Sequence, residues 1–219
     1  MQKFSSEIVF SSKDNNESRK ISQQLKTGLL RKIAPKIYTS NLEEAASEII
    51  YRNRYKIMSH LFPGAIISHR TAFEGDVKRG GTLFLTYSHR RHLSLPGLTI
   101  RLIKSEFSKE GTNPFLETLY LSGYERTLLE NLQPSRQRSG IRKTVDRAVV
   151  EQRLETLCRI QGEAELNRLR ECAKTLAASI GMKPEYEQLN EIIGAILGTL
   201  VNLKKSSIEP AIRYLCHLN

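Results

Sequence analysis

The sequence predicts an α+β protein, and three observations carry that reading. A short cationic helix with its own caps leads into a basic hairpin across residues 14–39; strand-like runs then alternate with short helical ones as far as residue 132; from Thr144 onward the hydrophobic pattern is purely helical. The architecture expected is a minimal winged helix-turn-helix over residues 1–40, a small α+β domain over 41–140, a three-helix segment over 141–200, and a tail, 201–219, of uncertain structure.

The opening helix follows from its residues. Asp14 is placed to cap it, with Glu17 three positions on to close a capping box, and Gly28 follows Lys26 and Thr27 where a left-handed residue is wanted. Ile21 and Leu25 lie four apart on one face, while Arg19, Gln23 and Lys26 recur on the opposite face, flanked by Lys20 and Gln24. One side packs and the other offers hydrogen-bond donors. Arg and Gln pair bidentately with guanine and adenine edges in a major groove, and Lys neutralises phosphate. Leu29 to Ile33 reads as a strand, Ala34-Pro35 as a turn and Lys36 to Thr39 as a second strand, which puts Arg31, Lys32 and Lys36 on a wing beside a DNA backbone. Ile8 to Phe10 reads as one strand ahead of the helix. A complete winged helix has two helices there, so the module expected is minimal.

Composition narrows the partners. The chain has 219 residues, 39% hydrophobic and 26% charged with no Trp, enough for one large or two small packed domains. Its net charge of +11 favours a polyanion. Residues 1–40 carry eight Lys and Arg against three acids and residues 52–104 carry ten against two, whereas 148–219 balance at nine each. The positive charge therefore belongs to the first two thirds. Cys158, Cys172 and Cys216 are odd in number and lack paired spacing, so neither a disulfide framework nor a zinc site is indicated, and a reducing cytoplasm fits. The N-terminus has no apolar stretch of signal-peptide length, and Ile192 to Val201 is too short and glycine-broken to span a bilayer, so no membrane partner is expected.

The later elements are read the same way. Asn41 is expected to cap one helix from Leu42 to Phe62, ended by Pro63-Gly64. A short buried strand and short helix follow within 64–76, then strands Thr82 to Tyr87 and Leu98 to Ile103 on either side of SHRRHLSLPG, a strand Leu119 to Ser122, a helix across 123–132 and a polar, basic connector, 133–143. Val150, Leu154, Leu157 and Cys158 form one helical stripe; Leu166, Leu169, Ala173, Leu176, Ala177 and Ile180 form a second, ended by Gly181. A third helix, Pro184 to Leu200, carries Leu189, Ile192, Ile193, Ile196 and Leu197 around more than one face. Its uncovered side suggests a homodimer through Ile192, Ile193 and Ile196, or docking of the tail from Ile208 to Leu218.

Residues suited to catalysis are sparse. His89 and His92 in HRRH would point to opposite sides of a strand among cations, with no third ligand at hand, so no metal is expected. Ser68-His69-Arg70 reads as a polar segment beside an apolar strand rather than a nucleophile and base. There is no GxSxG, Walker loop, GxGxxG or HExxH. Neither an enzyme nor a cofactor is indicated.

The blocks 28–40 (GLLRKIAPKIYTS), 62–75 (FPGAIISHRTAFEG), 81–86, 93–100, 119–132 (LYLSGYERTLLENL), 162–177 and 192–199 taken in order resemble the N-terminal, regulator half of a group of bacterial Fic-family proteins, a half similar to AbiEi-type antitoxins and transcriptional regulators. The resemblance implies a DNA-binding winged helix, an α+β regulator domain and a helical segment leading into a Fic catalytic domain. It does not carry the enzyme over: Fic chemistry needs an HPFxxGNGR-type loop, and the near match Asn113-Pro114-Phe115 lacks the His and the glycine-rich anion cradle. A shortened form without the catalytic half is expected. Two functions remain: a cytoplasmic DNA-binding regulator, or a protein-interaction or inhibitory fragment that docks through its C-terminal helices.

Overall fold

The computed structural model describes residues 6–105, 108–135 and 141–215, with side chains as far as Thr199. It is mixed α+β. In chain order the elements are β1 (Ile8–Phe10), α1 (Asn15–Lys26), β2 (Arg31–Ala34), β3 (Ile37–Thr39), α2 (Ala46–Arg52), α3 (Arg54–Leu61), β4 (Ile66–Ile67) and α4 (His69–Glu74). Then come β5 (Thr82–Tyr87), β6 (Arg91–Leu95), β7 (Leu98–Lys104), β8 (Thr112–Pro114), β9 (Tyr120–Ser122), α5 (Tyr124–Leu132), α6 (Arg147–Gln161), α7 (Glu163–Ile180) and α8 (Lys183–Leu215). Two compact units result: one of Met1–Ile67, Gly75–Phe107 and Pro114–Tyr120, the other of Ser68–Glu74, Ser108–Asn113 and Leu121–Asn219.

The first unit begins with an antiparallel sheet in the order β1-β3-β2, in register at Ile8↔Thr39, Phe10↔Ile37 and Arg31↔Thr39. α1 lies between β1 and β2 in the chain, and β1 alone precedes it among the described residues. Asp14 caps it as expected, its Oδ1 accepting from the amides of Asn16 and Glu17 at 2.9 Å each. Gly28, at φ +72°, turns the chain out of the helix, and the amides of Leu29 and Leu30 both return to the Gln24 carbonyl. That return delays the strand to Arg31, two residues later than expected. The hairpin turn is Pro35-Lys36, not Ala34-Pro35, and Lys36 sits in it at φ +65°.

The single helix expected from Leu42 to Phe62 is two. Asn41 caps only a turn, its Oδ1 accepting from the amides of Glu43 and Glu44, and α2 starts at Ala46. Asn53 then divides α2 from α3: its side-chain amide donates to the Ile49 carbonyl and to Glu7, a local alternative to helix continuation. Ile49, Ile50, Ile57 and Met58 from these helices are buried, as are Leu83, Leu85 and Ile100 from the second sheet. In that sheet β5 runs between β4 and β7, parallel to β7, and β6 pairs antiparallel on β7's other edge. β6 was not expected; it occupies what read as a connector.

The second unit is a helical bundle. α5, α6, α7 and α8 surround Leu128, Leu129, Val150, Leu154, Cys158, Leu166, Leu169, Ala173, Leu189, Ile192 and Ile193. α7 ends at Gly181 in the left-handed conformation, φ +70°. α8 continues to Leu215, beyond the end expected at Leu200. Ile192 and Ile193 are 3% and 0% exposed, so the dimer face expected there is core: α5, expected as part of a separate domain, packs on α8 and covers it. Ile196 is partly buried against the same core. The tail segment expected to dock, Ile208 to Leu218, has no described side chains, and its residues 216–218, Cys216 among them, lie outside the described residues.

Candidate nucleic-acid interface

α1 is only shallowly covered. Ile21 and Leu25 are half-buried, no residue of the helix is fully buried, and its polar side faces solvent. Arg19, Lys20, Gln23 and Lys26 are exposed and Gln24 is half-exposed. Arg19, Ser22, Gln23 and Lys26 line an open concavity with Asn15 and Ser18. Asn15 and Ser22 were missed in the sequence, although their offsets of four and three from Arg19 put them on its face.

Charge pairing separates this face from α2 and α3. Among the described residues, no side-chain hydrogen bond or ion pair involves the side chains of Arg19, Lys20, Gln23, Gln24, Lys26, Lys32 or Lys36. The arginines of α2 and α3 are all engaged. Arg52 bridges Glu7 at 2.5 Å and Glu44 at 2.8 Å, Arg54 pairs with Asp76, and Arg79, beyond α4, reaches Glu48 at 2.7 Å. The Arg52 guanidinium holds the Glu7 and Glu44 carboxyls below the usual range. Burial pushes the Asp76 carboxyl up, but hydrogen bonds from Arg54, Tyr55 and the Val77 amide outweigh it and leave the group low.

The wing residues divide. Lys32 and Lys36 are exposed, Lys36 at the tip of the turn. Arg31 is half-buried: its Nε donates to the Asn41 carbonyl at 2.9 Å and its Nη2 to that of Glu44. Its guanidinium thus ties down the chain between β3 and α2, which corrects its expected place as an outward wing cation.

The other sequence candidates resolve differently. Ser68 Oγ and His69 Nδ1 do hydrogen-bond, at 2.9 Å, because His69 takes φ +53°. Both are buried within a polar network: Glu130 accepts from the His69 amide at 3.0 Å, Ser122 Oγ at 2.9 Å and Arg126 Nε at 2.9 Å, while His69 Nε2 meets Gln133 Oε1 at 3.2 Å. Burial lowers the imidazole pKa, against the pull of Glu130. The network joins α4 to β9 and α5 through buried hydrogen bonds. His89 and His92 are exposed at the start of β6, and no group of three metal-ligating side chains converges among the described residues. Pro114 closes β8, and the Phe115 ring packs edge-on against Tyr55 at 5.1 Å. In the second unit, a cleft of about 480 Å³ between α6 and α8 has Cys158, Ile192 and Ile196 in its lining and Arg147, Glu151, Glu155 and Arg159 beside them. No helix among the described residues is long and apolar enough to cross a membrane.

Compared with known proteins, the chain matches no protein-family model and no curated sequence.

Proposed function

We propose that the chain is a DNA-binding transcriptional regulator or antitoxin-like module, a binding protein rather than an enzyme. In this reading α1 is the recognition helix of a minimal winged helix and enters the major groove, with Arg19, Gln23 and Gln24 toward base edges and Lys20 and Lys26 toward phosphates. Lys32 and Lys36 on the β2–β3 wing contact the backbone, and Arg31 braces the wing. One observation carries the reading: the donors of α1 and the wing lysines Lys32 and Lys36 are unpaired while the arginines of α2 and α3 are neutralised by carboxylates. Paired cations have little left for phosphate, whereas unpaired ones release counterions on binding. The resemblance of the sequence blocks to AbiEi-type regulators agrees with this reading.

Binding to randomised duplexes tests it. Arg19→Ala or Gln23→Ala should lower discrimination by about 1–3 kcal/mol, and Lys32→Ala should weaken all sequences alike. Unaltered affinity in an Arg19→Ala/Lys20→Ala/Lys32→Ala variant would overturn the assignment.

The second reading, a fragment that docks on a protein through its C-terminal helices, draws on the α6–α8 cleft with its partly apolar lining. Docking there would show little dependence on salt, which separates the two.

A further inference from the structure

A second group of unpaired cations lies in the first unit, outside α1 and its wing. Residues 52–104 carry ten Lys and Arg against two acids, and most of the ten are engaged. Arg52, Arg54, Arg70 and Arg79 have carboxylate partners, Lys56 donates to Ser6 Oγ, and Arg101 lies over the Phe84 ring at 5.7 Å. Arg90, Arg91 and Lys104 are exposed, and none of the three side chains makes a hydrogen bond or ion pair among the described residues. The topology brings them together. Tyr87, the last residue of β5, lies beside Lys104, the last of β7, and Arg91 stands across from Leu102. The link from β5 to β6 therefore passes the end of β7, placing His89, Arg90 and Arg91 next to Lys104 at one end of the sheet.

That end is tied to the wing by ring contacts. Phe10 of β1 stacks on His60 of α3, centroids 3.8 Å apart and planes within 6°. Two residues on, Phe62 meets Tyr87 at 5.8 Å, and Tyr87 meets His89 at 5.1 Å. Phe10 pairs with Ile37, and the Ser11 amide donates to the Lys36 carbonyl at 2.9 Å. The wing turn, through Phe10 and His60, and the 88–92 tip, through Tyr87 and Phe62, thus both connect to the C-terminal end of α3.

We propose that the 88–92 loop and the start of β6, with Lys104, grip the phosphate backbone of the same duplex that α1 and its wing engage. This rests on the DNA-binding reading above. Arginines pair bidentately with phosphate, and such contacts fix register without reading sequence. A lipid surface fits less well, because membrane-binding cations flank exposed apolar side chains. Here Ser88, His89, Arg90, Arg91, His92 and Ser94 are the exposed residues, while Leu95 is buried.

The test is fluorescence anisotropy with a labelled mixed-sequence duplex of about 20 base pairs, near two helical turns, titrated across a salt series with the full chain and its variants. In Arg90→Ala/Arg91→Ala/Lys104→Ala the slope of log affinity against log salt should fall by about 0.9 per lost phosphate contact, up to about 3 in all. Discrimination between a preferred and a scrambled duplex should not change, and Arg90→Lys/Arg91→Lys should keep the slope. An unaltered slope in the triple variant, with wild-type binding intact, overturns the second contact and leaves the α1 reading standing. Wild-type protein that does not bind overturns both. Loss of binding to phosphatidylserine vesicles alongside unaltered DNA binding would assign the loop to a lipid surface and also overturn the proposal.

Discussion

Replacing Glu130 should destabilise the second unit more than any surface change. Its carboxylate is 1% exposed, and both oxygens are in use: Oε1 accepts from Arg126 Nε, Oε2 from the His69 amide and Ser122 Oγ. Arg126, 2% exposed, also donates through Nη1 to the carbonyls of Ser108 at 2.8 Å and Glu110 at 2.6 Å, so it cannot swing out to water when its anion is gone. Glu130→Ala leaves a buried guanidinium, an amide and a hydroxyl short of an acceptor. Breaking a buried pair from one side costs about 3–5 kcal/mol, and each orphaned neutral donor adds about 1–3 kcal/mol. The expected loss is at least about 3 kcal/mol, or roughly 6–12 °C in Tm at about 2–4 °C per kcal/mol. Asp146→Ala, which breaks the exposed Arg142–Asp146 pair, should cost about 0–1 kcal/mol. Arg126→Met/Glu130→Leu, which removes both charges together, should recover only the part due to the stranded guanidinium, because the His69 amide and the Ser122 hydroxyl stay without their acceptor. Urea unfolding followed by circular dichroism reads all three. Glu130→Ala within about 1 kcal/mol of wild type would refute the reasoning.

Three further outcomes follow from the same geometry. Burial depresses the His69 pKa below its ordinary 6.5, so on acidification the unfolded chain takes up the proton first; stability should be full above that pH and decline below it. The lowered carboxyls of Glu7, Glu44 and Asp76 weaken folding only at more acid pH, below their ordinary values of 4.5 and 3.8. His69→Asn, which tolerates the φ of +53°, should flatten the decline between pH 6.5 and about 5, and a wild-type protein already flat there would contradict the assignment. Gly97→Ala should cost about 1–3 kcal/mol, because Gly97 has φ +68° and its new Cβ would lie 2.7 Å from Ser47 Cβ; Gly28→Ala, with open space around it, should cost only about 1 kcal/mol in melting experiments. Asp14→Ala should cost about 1 kcal/mol and speed amide exchange along α1 while exchange in the helical bundle stays unchanged.

What the sequence revealed and concealed divides along physical lines. α1 was legible because its signals are local: Asp14, Gly28 and the Ile21–Leu25 spacing act within one helix. The bundle was legible because its apolar stripes repeat at helical period over many residues. β6 was hidden because it buries only Leu95 and shows charge and imidazole elsewhere, so its strand character comes from backbone pairing with β7. The α2–α3 break was hidden because Asn53 is held partly by Glu7, far upstream. Arg31 read as an outward cation because the carbonyls that take its guanidinium lie ten and thirteen residues along the chain. The core role of Ile192 and Ile193 depended on α5, which the sequence placed elsewhere. Of the candidate interface, the α1 face could be read from side-chain spacing; its contrast with the neutralised arginines of α2 and α3 needed the fold.

The most direct measurement is the affinity of the full chain for a mixed-sequence duplex at about 50 and about 200 mM salt. With Arg19, Lys20, Lys26, Lys32 and Lys36 free to meet phosphate or base, the expected result is tight binding at the lower salt that weakens by at least roughly 10²- to 10³-fold at the higher. No binding at the lower salt, or binding indifferent to salt, would contradict the claim that this protein acts on DNA.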